Sequence, residues 1–127
     1  MTRVGGIRSI VLECRDPEPL ATFWSAVLGQ EVATRQDDWW ALARTDDRPR
    51  LAFQVTAGYL APPWPGSTGK QQVHLDIEVD DLDVARQQVL ELGAAQLSDV
   101  VQDQAEDAPW QVFADPAGHP FCLVTRP

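Results

Sequence analysis

The stretch 72–93 alternates hydrophobic and polar residues at its start and repeats hydrophobic residues at helical spacing towards its end. A period of two predicts a strand with one apolar face, and a period of about 3.6 predicts an amphipathic helix. Asp80 and Asp81 offer an N-cap to this helix, and Gly93 is suited to its end. Because the helix would cover the apolar face of the strand, we expect the other face to be available to a ligand or a partner. That polar face carries His74, Asp76 and Glu78.

The same succession of elements occurs earlier in the chain. Residues 7–14 alternate as a strand, and the residues on its less apolar face are Ser9, Val11 and Glu13. Asp16 followed by Pro17 is typical of a helix start, and an apolar stripe at helical spacing continues from there to Gly29. Turn-rich segments then separate three predicted short strands, at 31–35, 39–44 and 50–56.

The second half of the chain repeats the first. Residues 58–70 contain three prolines and three glycines, which disfavour regular structure and predict a connector. After the strand and helix of 72–93 we expect an acidic loop at 99–108 and a turn at 115–118. Strands are predicted at 95–98, 110–114 and 120–125. The chain would therefore be one domain, 1–127, made of module one (5–57), the connector (58–70) and module two (71–127).

This order predicts an α+β fold of two tandem βαβββ modules. Each sheet would be covered on one face by its helix, and the other faces would enclose a cleft or half-barrel about a pseudo-twofold axis. We take Trp40 and Trp110 as apolar walls of this cleft, although alternation alone leaves Trp39 as an alternative to Trp40. The remaining residues assigned to ligand binding are Ser9, Glu13, Ala52, Gln54 and Cys122.

Composition narrows the classes of function. The formal net charge of −9 argues against nucleic acid, because phosphate binding needs a basic face. The sequence has no apolar run of about 18 residues and no signal-peptide pattern, so we expect no membrane partner and a cytoplasmic location. Cys14 and Cys122 do not have the spacing of a zinc motif and are expected to be small buried residues.

Four segments resemble the vicinal oxygen chelate superfamily, which includes glyoxalase I, bleomycin-resistance proteins, fosfomycin-resistance enzymes and extradiol dioxygenases. The segments are IVLECRDPEPLATFWSAVLGQEV, RLAFQV, VHLDIEVDDLDVARQQVLELGA and WQVFADPAGHPFCLV. The resemblance extends over nearly the whole chain and is nearest to the small glyoxalase-like proteins. It implies the same paired-module fold, whereas function does not follow from fold alone.

In the metal-dependent members of that superfamily, His, Gln or Glu residues of the first, fourth, fifth and eighth strands bind the metal. The resemblance places these four positions at Ser9, Ala52, His74 and Cys122. Only His74 is a standard ligand there, and a His with a Cys is fewer than the three protein ligands of a typical site. We therefore predict no cofactor, with His74 as the candidate ligand if a divalent metal does bind.

Two functions stay open at this point. The first is metal-free binding of a small aromatic or cationic molecule in an acidic cleft walled by tryptophans, in a homodimer as the resemblance implies. The second is an enzyme of the lyase or isomerase type that uses His74 with Asp76 or Glu78 as acid and base, with or without an atypical divalent metal. The sequence does not decide whether the protein is an enzyme.

Overall fold

The computed structural model describes residues 3–62, 73–103 and 108–125. The chain divides into two compact units, Met1–Leu60 and Ala61–Pro127. The boundary between them falls inside the predicted connector 58–70, of which residues 63–70 lie outside the described residues. Among the described residues, no helix is long and apolar enough to cross a membrane.

The first unit is a four-stranded sheet with one helix. Its elements are β1 (Ser9–Cys14), α1 (Pro17–Leu28), β2 (Val32–Arg35), β3 (Trp39–Leu42) and β4 (Arg50–Val55). The strand order is β1-β4-β3-β2; β1 and β4 are parallel, and the other neighbours are antiparallel. A parallel pair needs a long crossover, and α1 with the β2–β3 hairpin supplies it.

Helix α1 begins and ends where the sequence predicts. The Asp16 side chain accepts a hydrogen bond from the backbone N–H of Glu18, Pro17 occupies the first turn, and Gly29 adopts a left-handed conformation with φ of 64°. Most of the apolar stripe of α1 is buried, with Val27 and Leu28 half-buried at its end, and the helix packs against β3 and β4. This stripe includes Leu20, Phe23 and Trp24.

The second unit repeats this arrangement with one additional strand. Its elements are β5 (Leu75–Val79), α2 (Leu82–Glu91), β6 (Ala95–Gln96), β7 (Val101–Asp103), β8 (Ala108–Ala114) and β9 (Pro120–Thr125). The strand order is β5-β9-β8-β6, with β7 also paired to β8, and the β5–β9 pair is parallel. Asp81 caps α2 by accepting from the backbone N–H of Val84. The predicted α+β fold of two βαβββ-like modules is thus confirmed.

The predicted and observed strands differ in two places, and in both the pairing with a neighbouring strand sets the observed bounds. Part of the predicted acidic loop 99–108 is strand β7, because Val101 pairs with Trp110 across the sheet; residues 104–107 lie outside the described residues. Residue 72, where the strand was predicted to start, lies outside the described residues; residues 73 and 74 precede β5, which begins at Leu75 opposite Phe121 of β9. His74 therefore precedes the strand instead of lying within it.

Candidate functional site

In the first unit, four residues predicted to bind a ligand share one face of the sheet. The parallel register places Glu13 opposite Gln54, Val11 opposite Ala52 and Ser9 opposite Arg50. Residues that are directly paired lie on the same face, and because Val11, Glu13 and Gln54 are exposed, this face is the one away from α1. The four residues are Ser9, Glu13, Ala52 and Gln54. Arg50 is a further residue of this face that the sequence pattern does not indicate, and its Nε donates to the Ser9 hydroxyl over 3.2 Å.

The predicted placement of Trp40 on this face is wrong. Trp40 pairs with Phe53, which is fully buried on the face opposite to that of Ala52 and Gln54, and the Arg35 guanidinium lies 5.3 Å above the Trp40 ring. Trp39 pairs with Gln54 and therefore shares the face of the other predicted residues. Alternation cannot separate two adjacent tryptophans, because either parity leaves one ring on each face.

In the second unit, the register also gathers the predicted residues on one face. Asp76 lies opposite Cys122 in the parallel β5–β9 pair, and Glu78 lies opposite Val124. Trp110 of β8 lies opposite Val124 and so belongs to the same face, which is the one away from α2. Asp76 and Glu78 are exposed, whereas Trp110 is half-buried.

His74, Asp76 and Cys122 form a compact cluster on this face. His74 Nε2 lies 3.2 Å from Asp76 Oδ1, and the side chains are 43% and 63% exposed. One nitrogen, one oxygen and one sulfur atom from the three residues all lie within 4.8 Å of one another. Cys122 is buried at the base of the cluster, being only 5% exposed. Each of the three residues is a candidate from the sequence alone, but the resemblance gives only His74 and Cys122 as metal positions and does not include Asp76.

Burial raises the pKa of the Cys122 thiol from 9.0 to about 11, and the adjacent Asp76 carboxylate adds to this by its negative charge and by a hydrogen bond. Both effects disfavour the thiolate, because it would be a poorly solvated anion beside another anion. In the protein without metal, Cys122 is therefore a neutral thiol at physiological pH. A cation at the cluster would have to displace this proton in order to bind the sulfur.

This pKa can be tested by alkylation in a Cys14→Ser background with a chelator present. We expect iodoacetamide to label the folded protein slowly at about pH 8 and faster as the pH approaches 11, because the thiolate is the nucleophile. Since the folded-state pKa lies above the ordinary value of 9.0, the contribution of this thiol to the free energy of unfolding should be fully present below pH 9 and be lost between pH 9 and 11. A labelling midpoint near 9 would contradict this, and Asp76→Asn should lower the midpoint.

Comparison with known proteins places the chain among glyoxalase-like sequences. The family described as "Glyoxalase-like domain" matches residues 9–124, which includes every strand and helix of both units up to the penultimate residue of β9. No curated protein is significantly similar to the chain.

Solved structures share the fold at low sequence identity. A glyoxalase-related enzyme from Fulvimarina pelagi has 16% identity and a TM-score of 0.74, over 98% of this chain and 90% of that one. A glyoxalase/dioxygenase from Nostoc punctiforme has 20% identity and a TM-score of 0.69, over 96% and 91%. A glyoxalase/bleomycin resistance protein/dioxygenase family enzyme from Burkholderia phytofirmans PsJN has 15% identity and a TM-score of 0.71, over 92% and 95%. At such identities the likeness extends to the fold and not to the reaction.

Proposed function

Because the chain belongs to the glyoxalase-like domain family, we propose that its second unit binds a small oxygen-bearing molecule at a divalent cation held by His74, Asp76 and Cys122. The observation that carries this proposal is the approach of three different donor atoms to within 4.8 Å of one another. The prediction of no metal rested on a count of two ligands in this half of the chain. Asp76 supplies a third, which is the usual minimum for a catalytic site.

The donor set fits zinc better than a hard cation such as Mg²⁺. Imidazole nitrogen, thiolate sulfur and carboxylate oxygen are the three groups that bind Zn²⁺ in proteins, whereas Mg²⁺ favours oxygen alone. Three protein ligands leave a fourth position open, and the exposed sides of His74 and Asp76 leave room for a ligand there. When bound, such an ion would act as a Lewis acid on a carbonyl or hydroxyl oxygen of the small molecule.

We assign proton transfer to Glu78, a further carboxylate of this face. It lies two residues beyond Asp76 on the same face of β5, about 6.6 Å along the strand, and its side chain is exposed. A carboxylate at that distance can accept a proton from a carbon or oxygen next to the atom held at the cluster. The corresponding reaction class is an isomerase or lyase that acts on a molecule with adjacent oxygen atoms.

A second candidate function is metal-free binding of an aromatic or cationic small molecule. It is favoured by the half-buried Trp110 on the same face as the exposed carboxylates of Asp76 and Glu78. An aromatic ring and nearby negative charges attract an organic cation. In this case the His74–Asp76 pair would orient the ligand, and Cys122 would remain a neutral thiol.

The two candidates are separated by metal content and by cobalt spectroscopy. We expect protein purified without chelator or affinity-column metal to contain zinc at close to one atom per chain. Co²⁺ added to the apoprotein should give a near-ultraviolet charge-transfer band from the Cys122 thiolate. Cys122→Ser should abolish this band and weaken Zn²⁺ binding by about 100-fold or more, since even outer-shell changes cost 10 to 100-fold.

Cys14→Ser is the matched control, because it removes the other buried thiol of the chain, whose sulfur donates to the Gln54 backbone oxygen in the first unit. It should leave the cobalt band unchanged. A band that persists in Cys122→Ser, or no Co²⁺ binding by the wild-type protein, would contradict the metal proposal. Thermal shifts with phenyltrimethylammonium, compared between the wild type and Trp110→Ala, would then test the second candidate.

The homodimer and the cytoplasmic location stay predictions from the resemblance and from the sequence. Light scattering coupled to size-exclusion chromatography measures the first directly. A mass of about 28 kDa, twice the 14.1 kDa of one chain, is expected for the dimer.

A further inference from the structure

The first unit contains an open cavity of about 640 Å³ that neither candidate function uses. It lies at the end of the sheet where the parallel strands β1 and β4 begin, between the segment that precedes β1 and the connection from β3 to β4. Its size is within the range of about 300 to 1,000 Å³ that is usual for small-molecule sites. Five arginines line it: Arg3, Arg8, Arg44, Arg48 and Arg50.

The positive charge at this cavity contrasts with the negative net charge of the whole chain. The chain has nine arginines and a net charge of −9, yet five of the nine arginines meet at this one cavity. Two carboxylates, those of Asp46 and Asp47, also line it, which leaves a local formal charge of +3. Residues 1–60 as a whole carry seven basic and eight acidic residues, so the acidic excess belongs almost entirely to the second unit.

Several of these guanidinium groups have no partner within the described part of the chain. Arg48 lies 3.3 Å from the Asp47 carboxylate, and it is the main cause of a lowered pKa of that group. Arg50 donates to Ser9. Among the described residues, no side-chain hydrogen bond or ion pair involves Arg3, Arg8 or Arg44. Their donors are therefore available to a molecule in the cavity.

Hydrogen bonds order the main chain at three arginines of this cavity, Arg8, Arg48 and Arg50. The N–H of Arg50 donates to the carbonyl oxygen of Arg8 over 3.1 Å, so the starts of β1 and β4 are tied together. The Thr45 hydroxyl donates to the carbonyl oxygen of Arg48 over 3.4 Å, which bridges the β3–β4 connection. At these residues the main chain is already ordered before a ligand binds, and this lowers the entropic cost of binding.

We propose that this cavity binds a small polyanion with at least two phosphate or carboxylate groups. The planar guanidinium fork matches both groups through paired hydrogen bonds, and several arginines within one cavity favour several negative charges on one molecule. A long nucleic acid is disfavoured, because beyond the cavity it would meet a chain of strongly negative net charge. The proposal concerns the first unit alone and does not depend on the cluster of the second unit.

The experiment is isothermal titration calorimetry with tripolyphosphate, pyrophosphate and citrate at constant ionic strength, with sulfate as the reference anion. We expect tripolyphosphate or citrate to bind more tightly than sulfate, and the stronger of the two identifies the anionic group. Arg8→Gln combined with Arg44→Gln should weaken that binding about tenfold or more, because it removes two guanidinium groups that can each form charge-assisted hydrogen bonds with the anion. Asp46→Asn combined with Asp47→Asn should strengthen it.

Arg15→Gln combined with Arg35→Gln is the matched control, because it removes the same charge from the same unit but outside the cavity. It should change the affinity far less than the Arg8 and Arg44 pair, and thermal unfolding of each variant checks that the fold is retained. Equal weakening by the two arginine pairs would overturn the proposal, since it would show a general effect of charge. Binding of tripolyphosphate and citrate that is no tighter than that of sulfate would also overturn it.

Discussion

Trp24→Ala is expected to lower the free energy of unfolding by about 3 to 5 kcal/mol, the usual loss when a large aromatic core residue is truncated. Trp24 is completely buried on α1, and its ring meets that of Phe23 edge to face at a centroid distance of 5.2 Å. The cavity left by the indole would lie between α1 and the sheet, where close packing allows little collapse. Urea unfolding monitored by far-ultraviolet circular dichroism measures the loss.

Two variants of the same helix control this experiment. Trp24→Phe keeps an aromatic ring and should cost less than Trp24→Ala, and Thr22→Ala changes an exposed position and should stay within about 0.5 kcal/mol of the wild type. A loss below about 1 kcal/mol for Trp24→Ala would contradict the assignment of this tryptophan to the core.

Gly118→Ala is expected to destabilise the second unit by about 3 kcal/mol, from two separate causes. Gly118 has a φ of 87°, which costs an L-residue roughly 1 to 2 kcal/mol. The added Cβ would also lie 2.5 Å from the Cβ of Ala61, and overpacking of this kind costs about 1 to 3 kcal/mol. Thermal or urea unfolding of the variant measures the sum.

A double variant separates the two causes. Gly118→Ala combined with Ala61→Gly removes the opposing Cβ and should recover the overpacking part alone. Gly29→Ala is the control for the backbone part, because Gly29 has a φ of 64° and open space around it. If Ala61→Gly recovers no stability, the close approach of residues 61 and 118 does not contribute to the destabilisation by Gly118→Ala.

The turn that contains Gly118 also bears on the candidate site. Asp115 is buried and accepts hydrogen bonds from the backbone N–H groups of Ala117 and His119, over 3.0 and 2.9 Å. This turn joins β8 to β9 and so fixes where β9 begins. The start of β9 sets the residue of that strand that faces Asp76, and in this register it is Cys122.

Features with a local cause were predictable from the sequence. The ends of α1 follow from an Asp side chain that reaches a nearby backbone N–H and from a glycine that adopts a left-handed conformation. The strand faces follow from period two, which correctly grouped Ser9 with Glu13 and Asp76 with Glu78. Neither feature depends on distant parts of the chain.

Features that depend on pairing between distant segments were not predictable in this way. Strand β7 forms inside a predicted loop because β8 offers it an edge, and Trp39 instead of Trp40 shares the face of Gln54 because of the β3–β4 register. The arginine cavity was not predicted because its arginines come from three separate segments that no sequence motif connects. Arg3 and Arg8 precede β1, Arg44 and Arg48 lie between β3 and β4, and Arg50 begins β4.

The sequence by itself determined the two-module α+β fold, the helix ends and the polar strand faces, because these depend on the spacing of neighbouring residues. Only the tertiary structure decided that Asp76 completes a three-residue cluster with His74 and Cys122, and that five arginines surround one cavity. Side chains far apart in the chain come together through strand register and turn geometry. A change of one residue in strand register would move the side chains of that strand to the opposite face of the sheet.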